Sequence, residues 1–323
     1  MPVSRSGHLA RRLLATAVTI YVVVTLNFLL FRVLPGDAVS NLSRVPGGSP
    51  ELSAALRKQF GLDQPLWSQY WIYLGRLLRG DLGVSFATQE PVGDRLTVAF
   101  GNTLPLVAAG LVLALLLGLV SGALSAWFRG SWVDRLSTNT AIAFYSVPTH
   151  FLGLLLILWL GNYLPAQGMH DDFLIDPTGA ERLADLVRHM ILPGLTIALI
   201  VFGQYTLVVR SAMLETLGDD HVLTARALGA GPVRTLAKHV LPNAMLPITN
   251  LVALSLGGLI GGSILVETVF SWPGVGRAMY ESVVQRDYPM LQGVFLVLTV
   301  SVVTLNLIAD LLAVRLDPRV AAG

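Results

Sequence analysis

The side chains of this sequence that could do chemistry gather in two short stretches. Residues 223–247 read LTARALGAGPVRTLAKHVLPNAMLP and hold a Gly-x-Gly-Pro break at Gly229, Gly231 and Pro232. Around it Arg226, Arg234 and Lys238 stand beside Leu223, Ala227, Leu236 and Val240. Glycine frees the backbone and proline suits a first helical position, so the spacing predicts two short helices at an angle. The first, over 214–228, has Asp219 and Asp220 as caps at an internal break; the second, VRTLAKHVL, ends before Pro242. Helices this short are marginal alone in water. Their mixed apolar and basic surface suits binding to a groove on another protein, and packing on their own chain is the equal alternative.

The second stretch, VETVFSWPGVGRAMYESVVQRDYPM, runs from Val266 to Met290. Trp272-Pro273-Gly274 with Gly276 enforces a turn. Residues Arg277 to Arg286 then fit a short helix before Asp287-Tyr288-Pro289. Such a piece can dip to membrane depth only where protein or a water-filled path surrounds it. Glu267 reads equally as a path residue or as an acid paired with Arg277. Glu267, Trp272, Pro273, Gly274, Arg277 and Asp287 are candidates for an outer gate or path.

Catalytic motifs are missing. The absence of cysteine removes disulfides, thiolate catalysis and cysteine metal sites. Only Lys58 and Lys238 exist, neither follows glycine, and a phosphate-cradling P-loop needs Gly-Lys-Ser/Thr. No His-Glu-x-x-His or Gly-x-Ser-x-Gly occurs. His150, alone in an apolar run, reads as a hydrogen-bonded packing residue. Ion-coupled carriers hold protons on carboxylates or histidines within their helices. Here, apart from His150, the ionisable groups lie near span ends: Arg32, Glu267 and Asp310. The chain offers a path without an evident energy source, and no metal or cofactor site of its own.

The elements that must position these residues follow from composition. The chain is 54% hydrophobic and 13% charged, with mean hydropathy +0.66. A soluble domain carries about a quarter charged residues, so the solvent around much of this chain is lipid. A net charge of +2 gives no nucleic-acid surface. Apolar runs long enough to cross a bilayer, about 20 residues, lie at 13–31, 96–128, 136–164, 190–209, 240–266 and 288–309. They predict an all-α membrane protein with six transmembrane helices. The first is an anchor rather than a cleaved leader, because its run is too long and no small-x-small site follows. Arg5, Arg11 and Arg12 before it, against Arg32 after it, put both termini in the cytoplasm, as do Arg129 and Arg135. The segment 223–247 then faces the cytoplasm too.

This organisation divides the chain into a cytoplasmic tail (1–12), a first span (13–35), an outer insertion (36–95), a core of spans two to six (96–316) with its loop 214–243, and a second tail (317–323). In the insertion, Ser49-Pro50-Glu51 opens a helix that Gly61 stops. Pro65 opens another, LWSQYWIYLGRLL, with Leu66, Tyr70, Tyr73, Leu74 and Leu77 on one face and Trp67 and Trp71 on another. It is a platform for an outer partner or a helix lying among headgroups. The acidic loop 165–189, with Asp171, Asp172, Asp176, Glu181 and Asp185, reads as an ordinary solvated connection, with attraction of cations or peptide amines as the alternative.

The segment 223–242 resembles the cytoplasmic coupling loop of ABC importer permeases, whose pattern is Glu-Ala-Ala, three residues, Gly, nine residues, Ile, one residue, Leu-Pro. Leu223-Thr224-Ala225, Gly229, Leu241 and Pro242 stand at those positions, with departures at Leu223, Thr224 and, where isoleucine is usual, His239. TARALG followed by KHVLPNAMLP is similar to the variant in the dipeptide/oligopeptide permease family. So are FGLDQPLWSQYWIYLGRLLRGDLGVS, SVPTHFLGLLLI and ETVFSWPGVGRAMYESVVQRDYPM, so the resemblance covers nearly the whole chain. The long first outer loop points to the B-type subunit.

The resemblance implies the ABC importer permease fold in a bacterial cytoplasmic (inner) membrane. It implies a homologous second permease, two cytoplasmic ATPase subunits or domains that carry ATP and Mg, and an extracytoplasmic peptide-binding protein. Leu223, Thr224, Ala225, Arg226, Gly229, Leu241 and Pro242 would couple this subunit to the ATPases; the chain itself would be no enzyme. The expected cargo is di- or oligopeptide. A lone ion-coupled carrier, a membrane scaffold, or a permease for another solute such as a metal chelate are the alternatives.

Overall fold

A computed structural model describes residues 5–33 and 63–316, and every regular element there is helical. The helices are α1 (Arg5–Val33), α2 (Leu66–Leu77), α3 (Val92–Trp127), α4 (Trp132–Ser146), α5 (Thr149–Leu160) and α6 (Gly179–Leu217). They continue with α7 (Asp220–Ala227), α8 (Pro232–Thr235), a π-helical turn (Leu236–Val240), α9 (Leu241–Gly262), α10 (Ile264–Val269), α11 (Val275–Gln285) and α12 (Tyr288–Leu316). The helix expected from Ser49 to Gly61 lies outside the described residues.

Among the described residues, α3, α6 and parts of α1 and α12 are long and apolar enough to cross a membrane. The third apolar run is not one helix. It breaks between α4 and α5 with a bend of 106°. Pro148 caps α5, and Val147 before it adopts an extended backbone (ψ 130°), the geometry proline imposes on its predecessor. A second correction concerns α6, which at 39 residues greatly exceeds the run at 190–209. Its first eleven residues, GAERLADLVRH, belong to the acidic stretch expected to be a plain loop. Thr178 and Glu181 form a reciprocal capping box that starts the helix there.

The central pair is α3 against α6. Gly110, Ala114, Gly118 and Gly122 recur every four residues and so form one stripe of α3. A Cβ on Gly110, Gly118 or Gly122 would sit 2.7, 2.4 or 2.6 Å from the Cβ atoms of Ile197, Tyr205 or Val209. These partners belong to a matching four-residue row on α6. Inside lipid no hydrophobic drive joins helices, so close backbone approach along small residues supplies the contact. Gly203 plays the same part toward α4, where a Cβ would meet the Ala141 carbonyl oxygen at 2.3 Å.

Helix α1 lies against α12, with Asn27 Nδ2 donating to the Gln292 carbonyl at 3.1 Å and Phe31 packing on Phe295. Helix α2 rests on the C-terminal half of α1: Phe28 meets the Tyr70 ring edge-on at 5.2 Å, and Thr25 and Tyr70 share a hydrogen bond of 2.8 Å. Tyr70 is buried and Trp67 and Trp71 are exposed, but Leu66, which the pattern put on the Tyr70 face, is exposed as well. His150 departs from its expectation. It is exposed in the first turn of α5, and its side chain has no hydrogen-bond partner among the described residues.

Candidate functional site: a two-helix loop and a charged cleft

Helix α6 runs directly into the segment that opened the sequence reading. After a break at Gly218–Asp219, α7 follows, then a turn in which Gly229 takes φ +86°. Only glycine adopts that left-handed conformation without cost. Val222 and Val240 are fully buried, packed with Ala126, Val209, Ala212, Met213, Ala244 and Ile248. That face seats the segment on its own bundle. The opposite face is open: Leu223 is 51%, Leu228 83% and Val233 80% exposed, with Arg226 and Arg234 exposed beside them. Of the coupling candidates, Thr224, Arg226 and Pro242 are exposed, Leu241 is half-buried, and Ala225 packs inward. Leu228 and Val233 were not singled out in the sequence, although apolar residues flanking a Gly-x-Gly-Pro break are a usable signal.

The helix expected to end before Pro242 continues through it. Pro242 has no N–H for the usual bond to the Lys238 carbonyl, and the chain widens instead. Leu241 N–H reaches back five residues to the Leu236 carbonyl, forming the π turn. His221 of α7 and Asn243 Nδ2 both reach the His239 carbonyl at 3.1 Å, which ties α7 to this turn.

At the same end of the bundle stands an ion pair that the sequence reading missed. Asp134 is buried, and Arg210 of α6 grips it with two bonds of 2.8 and 3.0 Å. Ser125 Oγ and the Gly130 N–H also donate to Asp134, at 2.5 and 2.8 Å. The pair therefore locks the α3–α4 turn onto the helix that carries α7. Its sequence signal was modest: an acid three residues after a capping Ser131, and an arginine closing an apolar run. Removing one partner of a buried pair leaves an uncompensated charge. Asp134→Ala should cost about 3 kcal/mol, the low end of the range because Arg210 keeps 28% side-chain exposure. The double variant Asp134→Leu/Arg210→Met should recover part of that loss. Thermal unfolding of the parent, Asp134→Leu, Arg210→Met and the double variant forms the cycle that checks it, with Asp134→Ala measured beside them.

At the other end, Glu267 is fully buried at the start of the Trp-Pro-Gly turn. Its Oε1 accepts from Thr103 Oγ1 (2.7 Å) and Ser263 Oγ (3.0 Å), and Oε2 from the N–H groups of Gly276 (2.7 Å) and Arg277 (3.2 Å). Of the two readings of Glu267, the pairing with the Arg277 guanidinium is not formed. That group binds Glu281 at 2.7 Å and the Ser271 carbonyl. Gly274 and Gly276 serve close approach as well as the turn: a Cβ on Gly274 would fall 2.4 Å from the Glu267 carboxyl carbon, and one on Gly276 2.4 Å from Ile264 Cα. Trp272 is fully buried and donates Nε1–H to the Asn102 carbonyl, while Asn102 Nδ2 donates to the Pro273 carbonyl, both at 2.9 Å. Asp287, also buried, accepts from Ser85 Oγ and from the N–H groups of Phe86, Ala87 and Met290.

These bonds fix one wall of an open cleft of about 620 Å³ between the first turns of α3 and helix α11. Glu90, Asp94, Arg95, Pro273, Arg277 and Glu281 line it. Pro273, Gly274 and Arg277 thus reach the cleft, whereas Glu267, Trp272 and Asp287 brace it from within.

Known proteins bear on this arrangement. Residues 114–322 match the family model "Binding-protein-dependent transport system inner membrane component", and residues 7–107 match its N-terminal companion. The glutathione transport system permease protein GsiC of Escherichia coli (strain K12) is 36% identical over 317 residues, 97% of this chain and 98% of that protein. The dipeptide transport system permease protein DppB of the same strain is 36% identical over 329 residues, 96% and 97% of the two chains. Among solved structures, an inward-facing conformation of the MetNI methionine ABC transporter superposes with a TM-score of 0.57 at 18% identity, covering 69% of this chain and 96% of that one. An amino acid ABC transporter with histidines gives 0.53 at 14%, with 69% and 94% covered. At those identities the likeness is one of fold.

Proposed function

Because the chain belongs to the family of binding-protein-dependent transport system inner membrane components, as the permease subunit of an ABC importer, we propose that it forms half of a translocation path for di- or oligopeptides. The observation that carries the cargo is the 36% identity, along almost the full length, to permeases for a dipeptide and for glutathione, itself a small peptide. On this reading six helical passes cross the inner membrane. They are α1, α3, the bent pair α4–α5, α6, α9 and α12, with both termini cytoplasmic. At 22 residues, α9 would extend about 33 Å, enough for a hydrocarbon core of about 30 Å.

The exposed face of α7 and the turn after it, Leu223, Arg226, Leu228 and Val233, then meets a cytoplasmic ATPase. A sister permease completes the path, and ATP with Mg resides on the ATPase pair. Nucleotide binding draws the two coupling loops together. Since α6 is continuous from that loop to the outer side, movement at one end reaches the other. Such switching is driven by the different affinity of nucleotide for two states. The cleft of Asp94, Pro273 and Arg277 is the outer section of the route, where a peptide released by the binding protein enters.

The test is uptake of radiolabelled Ala-Ala into proteoliposomes. Accumulation should require the ATPases, the sister permease, the binding protein and ATP together. Uptake by this chain alone under an ion gradient would discard the reading in favour of a secondary carrier. A point variant probes the coupling itself. At Gly229 a Cβ meets nothing within 4 Å, so only the positive φ opposes substitution. Gly229→Val should cost about 1–2 kcal/mol of local strain. The turn should relax to negative φ, leaving the bundle folded but cutting peptide-stimulated ATP hydrolysis severely. Stimulation equal to the parent's would exclude this role for the turn.

A further inference from the structure

Resting on the importer reading above, we propose that the loop of residues 171–176 docks the soluble binding protein, offering Phe173 and Ile175 as an apolar knob framed by aspartates. Phe173 is 89% and Ile175 90% exposed, among the most open large apolar side chains described. Apolar groups held so far into solvent mark a contact surface when they are presented rather than scattered. Here they are presented. Asp171 Oδ1 accepts the Phe173 N–H at 3.0 Å, and the Asp171 carbonyl accepts the Leu174 N–H at 3.2 Å. The loop's base is fastened from both sides. The Asp171 N–H donates to Asp185 Oδ2 at 3.0 Å, His170 stands 3.5 Å from the same oxygen, and the Gly168 N–H donates to the Phe270 carbonyl at 2.9 Å. Beyond the tip, the Thr178–Glu181 capping box fixes the entry into α6. A tip ordered before contact loses little entropy on binding.

Charge and height choose the occupant. Residues 168–178 contain Asp171, Asp172 and Asp176 but no lysine or arginine. Such a frame repels anionic lipid and favours an apolar pocket rimmed by lysine or arginine. Eleven residues separate Gly179 from Met190, where the apolar run of α6 begins. At about 1.5 Å per residue, a helix near the membrane normal lifts the end of the loop roughly 16 Å above the hydrocarbon. The headgroup layer is only about 5–7 Å thick. The knob therefore stands in the aqueous phase. The raised part of α6 adds Leu183 (61% exposed) and Val187 (52%), one helical turn apart, to the apolar surface on offer. The occupant is a soluble protein delivering cargo, and the loop supplies its footing beside the route.

Benzoylphenylalanine placed at Phe173 tests this in the complete importer, reconstituted in nanodiscs of phosphatidylethanolamine and phosphatidylglycerol with its binding protein. Illumination should join this chain to the binding protein, while the same label at exposed Trp132, at the opposite end of the bundle, should not. Adducts confined to lipid or to another membrane subunit would overturn the proposal. Independently, Phe173→Ser/Ile175→Ser should raise the binding-protein concentration for half-maximal ATP hydrolysis at least tenfold. Gel filtration should show the complex intact, since both positions face solvent. An unchanged concentration would also overturn the proposal. If the parent complex itself ignores the binding protein, the importer reading falls first and this inference with it, an outcome distinguishable because it does not involve residue 173.

Discussion

Gly118→Leu is expected to leave no recoverable folded protein. A Cβ at this position would lie 2.4 Å from Tyr205 Cβ and 3.3 Å from the Thr206 backbone nitrogen, and Tyr205 is fully buried. Neither neighbour can step aside, because one is anchored in the helix packing and the other is backbone. The axes of α3 and α6 would have to part, breaking the Gly110 and Gly122 contacts of the same stripe as well. Overpacking of a tight core costs about 1–3 kcal/mol even where side chains can shift, and here the loss spreads along a whole helix pair. Gly118→Ala should fold with a clearly lowered Tm. The internal control is Gly101 on the same helix, where a Cβ meets nothing within 4 Å. Gly101→Ala should be neutral or gain about 0.5–1 kcal/mol, since alanine orders less chain on folding. Monodispersity and thermal unfolding in mild detergent check the series. A Gly118→Leu protein as stable as its parent would refute the close approach of α3 and α6.

Much of the fold was legible because lipid imposes a simple rule. A charge-free run of about 20 residues must be helical there, and α1 and α12 enclose runs read from apolarity alone, as α3 does but for the last residue, Phe128. Periodicity could not say which face of each helix packs, since the runs are apolar all round. The glycine stripe at 110, 118 and 122 was present in the text, yet composition alone hides it. The bend at Val147–Pro148 was masked for the same reason, as apolar residues continue on both sides of the proline. The overhang of α6 failed in the opposite direction: Glu181, Arg182, Asp185 and Arg188 look like a solvated loop, whereas a helix leaving the bilayer carries such charges too.

The two short helices around Gly229 were legible because Gly229, Gly231 and Pro232 punctuate the segment locally. The braces of the cleft at the opposite end were not, because Thr103 and Glu267 meet across 164 positions of sequence. Function follows the same division. One end of the bundle presents an apolar and basic face, and the other holds a cleft with charged walls. Helix α6 and the α3 pairing make a single beam between them, with Asp134 and Arg210 fastening the end that carries α7.

The brace at Glu267 yields the most discriminating prediction, a ranking of substitutions. Leucine of similar volume would strand four donors in a site that is fully buried: two hydroxyls and two backbone N–H groups. Each unmet donor costs about 1–3 kcal/mol, so Glu267→Leu should lose several kcal/mol and collapse the Trp272–Gly276 turn. Glutamine should fare much better, for a geometric reason. Its carbonyl oxygen can take the place of Oε2 and accept the Gly276 and Arg277 N–H groups, which cannot reverse. Its NH₂ then replaces Oε1 and faces hydroxyls. Ser263 can rotate to accept, while Thr103 Oγ1 already accepts the Val275 N–H at 2.9 Å, so one contact is weakened. Glu267→Gln should therefore cost about 1 kcal/mol. Unfolding followed by fluorescence of Trp272, in a variant whose other tryptophans are replaced by phenylalanine, reads the turn directly. Equal losses for glutamine and leucine would mean that the carboxylate does more than accept these four bonds, and that Glu267 takes part in the path itself.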